Sequence, residues 1–196
     1  MKSFLLTLAL VLSFSPTAGA QDLDKGLEAF KRADYATALR EFRPLAKQGN
    51  AGAQFNIGFM YWTGEGVPQD QAEAEKWYRN AADQGYAKAQ DFLGYMYQHG
   101  EVVPQDYAEA EKWYRKAADQ GYAEAMLNLG YMYARGRGIP EDYTEAYIWY
   151  SLAAAGGYET APFRRKQAAK RLSPDQLRDA QREARKRWDR IQARKK

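Results

Sequence analysis

The chain repeats one pattern of 36 residues, and no other feature of the sequence constrains its fold as strongly. Residues 70–105 and 106–141 match at 24 of 36 positions without a gap. A strict period of this length is typical of a solenoid, because one repeat cannot bury its apolar face and stacked neighbours bury it together. The aspartates that open successive copies are Asp34, Asp70, Asp106 and Asp142.

Each repeat predicts two helices. Residues 87–98 carry apolar side chains at helical spacing, and Gly100 suits a left-handed residue that closes the helix. Asp106 fits the N-cap of a second helix, which ends near Asp119. Glu109, three residues after Asp106, predicts a capping box that recurs in the neighbouring copies. The expected core residues of this repeat are Ala89, Leu93, Met96, Tyr97, Ala110, Trp113, Tyr114, Ala117 and Ala118.

A glycine recurs inside the first helix of three copies. Glycine costs about 1 kcal/mol relative to alanine in a helix interior. Its return at one position of the repeat, as Gly58, Gly94 and Gly130, therefore predicts that two helices approach closely there. We expect small residues of the second helices to face these glycines, namely Ala38, Ala74, Ala110 and Ala146.

The repeat extends to about five helical hairpins. The first comprises residues 23–31 and 34–47, and the fifth begins with a helix near residues 160–172. Ser173 and Pro174 then fit the N-cap and first turn of a long, mostly charged helix with one apolar stripe. An array must end on a face that water accepts, and this helix is suited to that role.

These observations predict an all-α solenoid of antiparallel helix pairs with a capping helix at its C-terminal end. The solenoid covers residues 21–172, with clear full repeats at 51–86, 87–122 and 123–158, and the basic capping helix covers residues 173–196.

The first twenty residues predict an export signal. Lys2 gives a positive start, residues 4–14 are uncharged and mainly apolar, and residues 18–20 fit a cleavage site before Gln21. The apolar stretch spans only about 16 Å as a helix, against ~30 Å for the hydrocarbon core of a bilayer. The chain has no cysteine and so cannot be a lipoprotein. We expect a mature protein that begins after Ala20, in the periplasm or outside the cell.

The net charge of +4 combines two regions of opposite sign. Residues 21–163 hold 14 Lys/Arg and 21 Asp/Glu, a net of −7, whereas residues 164–196 hold 14 and 4, a net of +10. Two interpretations of the basic end stay open: a solvated cap attracted to the acidic array, or a helix that binds anionic lipid or another polyanion. The residues of such an anion-binding tail are Arg178, Arg182, Arg185, Lys186 and Arg190.

The third copy resembles the Sel-one-like repeat, a relative of the tetratricopeptide repeat with a longer loop between its helices. The resemblance rests on residues 125–133 (Ala-Met-Leu-Asn-Leu-Gly-Tyr-Met-Tyr), on residues 136–140 (Gly-Arg-Gly-Ile-Pro) and on the aromatic pair Trp149 and Tyr150. Val102 departs from the pattern, because the neighbouring copies have glycine at its position and valine avoids positive φ.

The resemblance implies a right-handed superhelix used as an adaptor that assembles protein complexes. Secreted bacterial members are linked to envelope assembly, exopolysaccharide export and host contact. Cysteine-rich members have been connected with the binding or hydrolysis of penicillin-like compounds, and this chain lacks those cysteines.

In tetratricopeptide-like arrays the first helix of each pair lines the concave face, so the resemblance places a partner there. Phe59, Tyr95 and Tyr131 keep an aromatic ring at one position of the repeat. These rings either bind an extended peptide or sugar chain or belong to the core between repeats, and both interpretations stay open. The expected partner-binding residues are Phe55, Phe59, Trp62, Lys88, Asp91, Tyr95, Gln98, Glu124, Leu127 and Tyr131.

The sequence offers no set of residues suited to catalysis or to metal binding. His99 is the only histidine, and the carboxylates Glu109 and Glu111 recur with the period as caps and solvated charges. We therefore expect no enzymatic activity, no cofactor and, given export, no nucleic-acid partner. The predicted function is a secreted bacterial scaffold for protein–protein interaction in the cell envelope. The alternative is a binder of anionic surfaces or glycans through the basic tail or the aromatic groove.

Overall fold

The computed structural model describes residues 18–194, with side chains from residue 23 onward, and this part of the chain is entirely helix, turn and loop. Residues 1–17, which hold most of the predicted export signal, lie outside the described residues. The helices are α1 Ala18–Lys31, α2 Tyr35–Lys47, α3 Ala51–Thr63, α4 Gln71–Asp83, α5 Ala87–His99, α6 Tyr107–Asp119, α7 Ala123–Arg135, α8 Tyr143–Ala155, α9 Ala161–Ala169 and α10 Pro174–Ala193.

Consecutive helices pack as pairs, and the pairs stack in chain order. The pairs are α1 with α2, α3 with α4, α5 with α6 and α7 with α8, and each second helix also packs against the first helix of the next pair. The last two helices differ, because α9 and α10 both pack mainly on α8. The predicted all-α solenoid of helix pairs is confirmed.

The aspartates that open the copies are N-caps, as predicted, but the capping boxes are only half formed. Asp106 accepts hydrogen bonds from the backbone N–H groups of Ala108 and Glu109, at 2.9 and 3.0 Å. The carboxylate of Glu109 accepts a hydrogen bond from Lys112 at 2.9 Å instead of returning to the N-cap. The reciprocal box occurs at α10, between Ser173 and Gln176.

The predicted core residues of the central repeat are buried. Ala89, Leu93, Met96 and Tyr114 are fully inaccessible to solvent. Tyr97 is the exception, because its hydroxyl accepts a hydrogen bond from Arg79 at 3.0 Å near the surface. Small and aromatic side chains therefore fill the space between helices, as the spacing predicts.

The nearest neighbours of the recurrent glycines are tyrosine rings, which the prediction did not name. At Gly58 a predicted small residue is also close, because a Cβ atom there would lie 3.2 Å from the backbone oxygen of Ala74. A Cβ atom on Gly94 would lie 2.6 Å from the ring of Tyr114, and one on Gly130 would lie 2.6 Å from the ring of Tyr150. Each glycine leaves room for one tyrosine of the second helix to pack closely against the first helix. The predicted close approach of the two helices is therefore present, and the tyrosine ring makes its shortest contact.

The loop that contains Val102 does not need the glycine found in the equivalent loops, because a different residue stands at the corresponding position of the preceding second helix. At the equivalent position Gly138 has a φ of 73°, and a Cβ there would collide with Tyr107 at the start of α6. For Val102, the residue that corresponds to Tyr107 is Gln71, at the start of α4. Val102 does not adopt positive φ. At this loop position a glycine with positive φ is thus needed only where the preceding second helix begins with a tyrosine.

The helix α10 closes the array through an apolar stripe and one ion-pair network. Its residues Ala180, Ala184 and Ile191 are buried. Arg187 donates two hydrogen bonds, at 2.7 and 2.6 Å, to the carboxylate of Glu145 on α8, and these bonds raise the pKa of the guanidinium. Among the described residues no helix is both long and apolar enough to span a membrane.

Candidate interaction surface

The side of the first helices α3, α5, α7 and α9 that carries the predicted partner-binding residues is here called the first-helix face. It consists of the residues at the register positions of Phe55, Phe59 and Trp62 and of their flanking residues in each copy. Of the ten predicted partner-binding residues, Lys88, Tyr95 and Glu124 are exposed. Four more are half-buried, namely Phe59, Trp62, Leu127 and Tyr131, and three are buried, namely Phe55, Asp91 and Gln98.

The aromatic row consists of Phe59, Tyr95 and Tyr131, of which Tyr95 is exposed and the other two are half-buried. Tyr95 is 39% exposed, and its ring lies 4.1 Å from that of His99. Phe59 is half-buried against Phe30, with ring centres 5.9 Å apart. The guanidinium carbon of Arg135 lies 5.7 Å from the centre of the Tyr131 ring. The row is therefore partly accessible to solvent, most of all at Tyr95.

Next to this row, the side chains of neighbouring first helices meet at places here called junctions. Each junction is formed around one tyrosine of a second helix, and these are Tyr78, Tyr114 and Tyr150 in chain order. At the first junction, between α3 and α5, the space is filled by aromatic rings. The ring of Phe92 lies 5.1 Å from Tyr78 and 5.5 Å from Phe55, and the Lys88 ammonium lies 4.9 Å from the centre of the Phe55 ring. The hydroxyl of Tyr78 is buried and has no hydrogen-bond partner.

At the second junction, between α5 and α7, polar groups replace the rings. Asp91 stands where the previous repeat has Phe55, and Asn128 donates a hydrogen bond to its carboxylate at 3.0 Å. Burial raises the pKa of Asp91 to about 7, with a further contribution from the negative charge of Glu124, while the Asn128 hydrogen bond opposes the shift. The prediction treated Asp91 as an exposed contact, whereas the structure buries it between two repeats.

At the third junction, between α7 and α9, the space forms a cleft of about 480 Å³. Arg164 stands at the register position of Phe92 and Asn128. Arg135, the last residue of α7, and Arg171, in the turn after α9, likewise share one position of the repeat. All three arginines are exposed and, within the part of the chain that the structure describes, none forms an ion pair. The tyrosines that line the cleft are Tyr131, Tyr143 and Tyr150.

The cleft keeps its central tyrosine neutral at physiological pH. Burial raises the pKa of Tyr150 to about 12, although the positive charges of Arg164 and Arg135 oppose the shift. The sequence analysis missed Arg135, Arg164 and Arg171 as site residues. Comparing residues 36 positions apart would have found them, because Phe92, Asn128 and Arg164 form one series in which only the last is charged.

The predicted anion-binding tail is partly neutralised by its own helix. Arg178 pairs with Asp175, Arg182 with Asp179 at 2.8 Å, and Arg190 with Glu183 at 3.3 Å. The two remaining cations of this set, Arg185 and Lys186, are exposed and unpaired among the described residues.

No group of three or more His, Asp or Glu side chains in the described part of the chain is arranged to hold a metal ion. The ring of His99 lies within hydrogen-bond distance of the Tyr95 carbonyl oxygen, 2.9 Å from its Nδ1 atom, at the end of α5.

A model of the Sel1 repeat, the Sel-one-like repeat, matches residues 51–86, 87–122 and 123–158. The chain belongs to the Sel1 repeat family, and the resemblance seen in the sequence is confirmed. Proteins of this family are generally scaffolds for protein–protein interaction, and their fold is typically non-catalytic.

Two solved structures are similar to the chain. One is a Sel1 repeat protein from Oxalobacter formigenes, with 40% identity and a TM-score of 0.67 over 71% of this chain and 57% of that one. The other is c5321, a protective antigen present in uropathogenic Escherichia coli strains that displays the same repeat fold, with 39% identity and a TM-score of 0.67 over 73% of this chain and 32% of that one. The chain thus spans less than two thirds of either protein. No curated protein matches it.

Proposed function

We propose that this protein is a scaffold that binds a partner protein along the first-helix face, and that it is exported to the bacterial cell envelope. The observation that carries the proposal is a contrast within each repeat, between a Gly–Tyr packing contact that stays constant and the neighbouring side chains, which change. The Gly–Tyr contact returns in each repeat, while the side chains beside it change from aromatic to acidic to basic. Packing requires the constant contact, but it does not require three different chemistries in a row.

An extended partner segment fits this arrangement. It would pass the aromatic side chains at Phe59, the exposed Tyr95 and then Tyr131 beside the arginine cleft. Half-exposed aromatic rings provide large contact areas at low cost in side-chain entropy, which is why tyrosine is enriched at protein interfaces.

Export is supported by the sequence of residues 1–20. Cell fractionation followed by N-terminal sequencing tests it. We expect a mature protein that starts at Gln21 in the periplasm or the medium. A cytoplasmic protein that retains Met1 would rule out export.

Photo-crosslinking in producing cells tests the scaffold proposal. A photoreactive amino acid replaces Tyr95 in one variant and Asn80, which is exposed on the second helix α4, in a matched control. We expect a discrete protein adduct from position 95 that position 80 does not give. Equal adducts from both positions, or none from position 95, would refute a partner on the first-helix face.

The second candidate function is binding of an anionic lipid surface by α10, and it is favoured by the unpaired Arg185 and Lys186. Vesicles that contain phosphatidylglycerol test this alternative. Binding that falls steeply with salt and is lost in an Arg185→Gln/Lys186→Gln variant would support it. Absent or salt-independent binding would refute it.

A further inference from the structure

The cleft at the third junction combines three exposed arginines with tyrosine walls. We propose that this arginine cleft, lined by Arg135, Arg164 and Arg171, binds the carboxylate groups of a short acidic peptide segment in the partner protein. The inference rests on the proposed function, because it names the partner chemistry at one end of the first-helix face.

The charge of the cleft is the first argument. One carboxylate, that of Glu141, stands among its lining residues, and it accepts a hydrogen bond from the Tyr143 hydroxyl at 3.3 Å. The three arginines therefore give the cleft a net positive charge, whereas residues 21–163 of the array carry a net −7. A site of positive potential attracts an anion, whereas the acidic array beside it repels one.

The orientation of the guanidinium groups is the second argument. The guanidinium carbon of Arg171 lies 4.6 Å from the centre of the Tyr143 ring, and that of Arg135 lies 5.7 Å from the centre of the Tyr131 ring. A guanidinium that lies over an aromatic ring keeps the N–H groups of its edge available. Those donors match a carboxylate in a bidentate geometry.

The size of the cleft and its surroundings favour a short peptide over a long polyanion. A volume of about 480 Å³ lies within the range of ligand pockets and exceeds what one small anion fills. Phe163 is 63% exposed and lies four residues before Gln167, on the same side of α9, so an apolar side chain can bind beside the arginines. The exposed Glu124 at the neighbouring junction repels a chain whose negative charge continues along the face.

Isothermal titration calorimetry with a tetraglutamate peptide tests the inference. The cleft variant is Arg135→Gln/Arg171→Gln, and the control variant is Arg40→Gln/Arg43→Gln on α2, which removes the same charge from exposed positions outside the cleft and the basic tail. We expect the tetraglutamate affinity of the wild type to fall about tenfold or more in the cleft variant, and to be unchanged in the control. An Arg164→Lys variant, which keeps the charge but loses the fork of donors, is also expected to bind more weakly.

Several results would overturn the inference. These are no binding of tetraglutamate to the wild type, equal loss in the cleft and control variants, and equal binding of tetraglutamine. Tighter binding of inorganic phosphate or of phosphatidylglycerol vesicles through the same arginines would also overturn it, since the ligand would then be a different anion. The unfolding free energy of each variant shows whether a loss reflects misfolding, and Arg164→Lys gives an independent result if the double variant unfolds.

The crosslinking experiment separates the two proposals. If the adduct at position 95 persists while tetraglutamate fails to bind, the inference about the cleft falls and the scaffold function stands. If tetraglutamate binds through the cleft but position 95 gives no adduct, the partner does not extend along the first-helix face to Tyr95. The proposed function then falls, and binding is confined to the cleft.

Discussion

The first and third junctions are built on the same frame and differ in what occupies it. Both place a glycine of one helix against a tyrosine ring, Gly58 against Tyr78 and Gly130 against Tyr150. Phe92 fills the first junction with an aromatic ring, whereas Arg164, 72 residues later in the same register, borders an open cleft at the third. The comparison shows that one repeat frame can enclose a packed aromatic cluster or border an open cleft, depending on the side chains at each junction.

The second junction is filled by the polar pair Asp91 and Asn128. A change there should have the largest effect on the unfolding free energy. The pKa of Asp91 is about 7 in the folded protein, against an ordinary value of 3.8, so the folded state binds more protons than the unfolded state between those pH values. The unfolding free energy should therefore fall as pH rises from about 4 to about 7 and stay constant above.

An Asp91→Asn variant isolates this effect, because it keeps an acceptor for Asn128 and removes the charge. We expect it to raise the unfolding free energy by at most about 4 kcal/mol at pH 8 and by little near pH 4. The groups that face Asp91 are Glu124, Asn128, Tyr114, Tyr122 and Tyr158. Urea unfolding at both pH values measures the difference, with exposed Asp83→Asn as the control. An equal gain at both pH values would contradict the assignment.

Removal of the ring at the first junction should have the next largest effect. Phe92→Ala deletes contacts with Phe55, Phe59 and Tyr78 and should lower the unfolding free energy by about 2–3 kcal/mol. The equivalent change at the third junction, Arg164→Ala, should lower it by at most about 0.5 kcal/mol, because the arginine is exposed and unpaired in the described structure. Equal costs in chemical denaturation would erase the distinction between a filled and an open junction.

Replacing a recurrent glycine by alanine should lower the unfolding free energy by the same amount at the first and third junctions. A Cβ on Gly58 or Gly130 would lie 2.9 or 2.6 Å from a ring atom of the facing tyrosine. Overpacking outweighs the gain in helix propensity, so we expect a net loss of about 1–2 kcal/mol from either variant. A stabilised Gly130→Ala variant beside a destabilised Gly58→Ala variant would show that the frame itself differs between the junctions.

The tyrosine hydroxyls should show the smallest effect. The Tyr78 hydroxyl is buried without a partner, whereas Tyr150 lines the cleft. Tyr78→Phe should therefore raise the unfolding free energy by about 1 kcal/mol, and Tyr150→Phe should leave it unchanged. Thermal unfolding of the two variants side by side measures the difference, and a gain at Tyr150 alone would invert the comparison.

Much of the fold follows from the sequence because its signals are local and periodic. Helix ends depend on residues a few positions apart, and Asp106 caps α6 through its own backbone neighbours. The Glu109 side chain was predicted less well, because Lys112 competes for it with the N-cap backbone. The Val102 loop also needed more than local reasoning, since its partner position lies on the preceding second helix.

The sequence by itself determined the solenoid, its helix pairs, the capping role of Ser173 and the Sel1 family, because each is encoded by short-range spacing repeated every 36 residues. Only the tertiary structure decided which residues of the first helices are reachable. Asp91 and Tyr95 lie one helical turn apart, yet one is buried and the other is exposed. Likewise, Arg135, Arg164 and Arg171 are separate surface cations in the sequence. They become one site because stacking brings α7 and α9 together against the same tyrosine of α8.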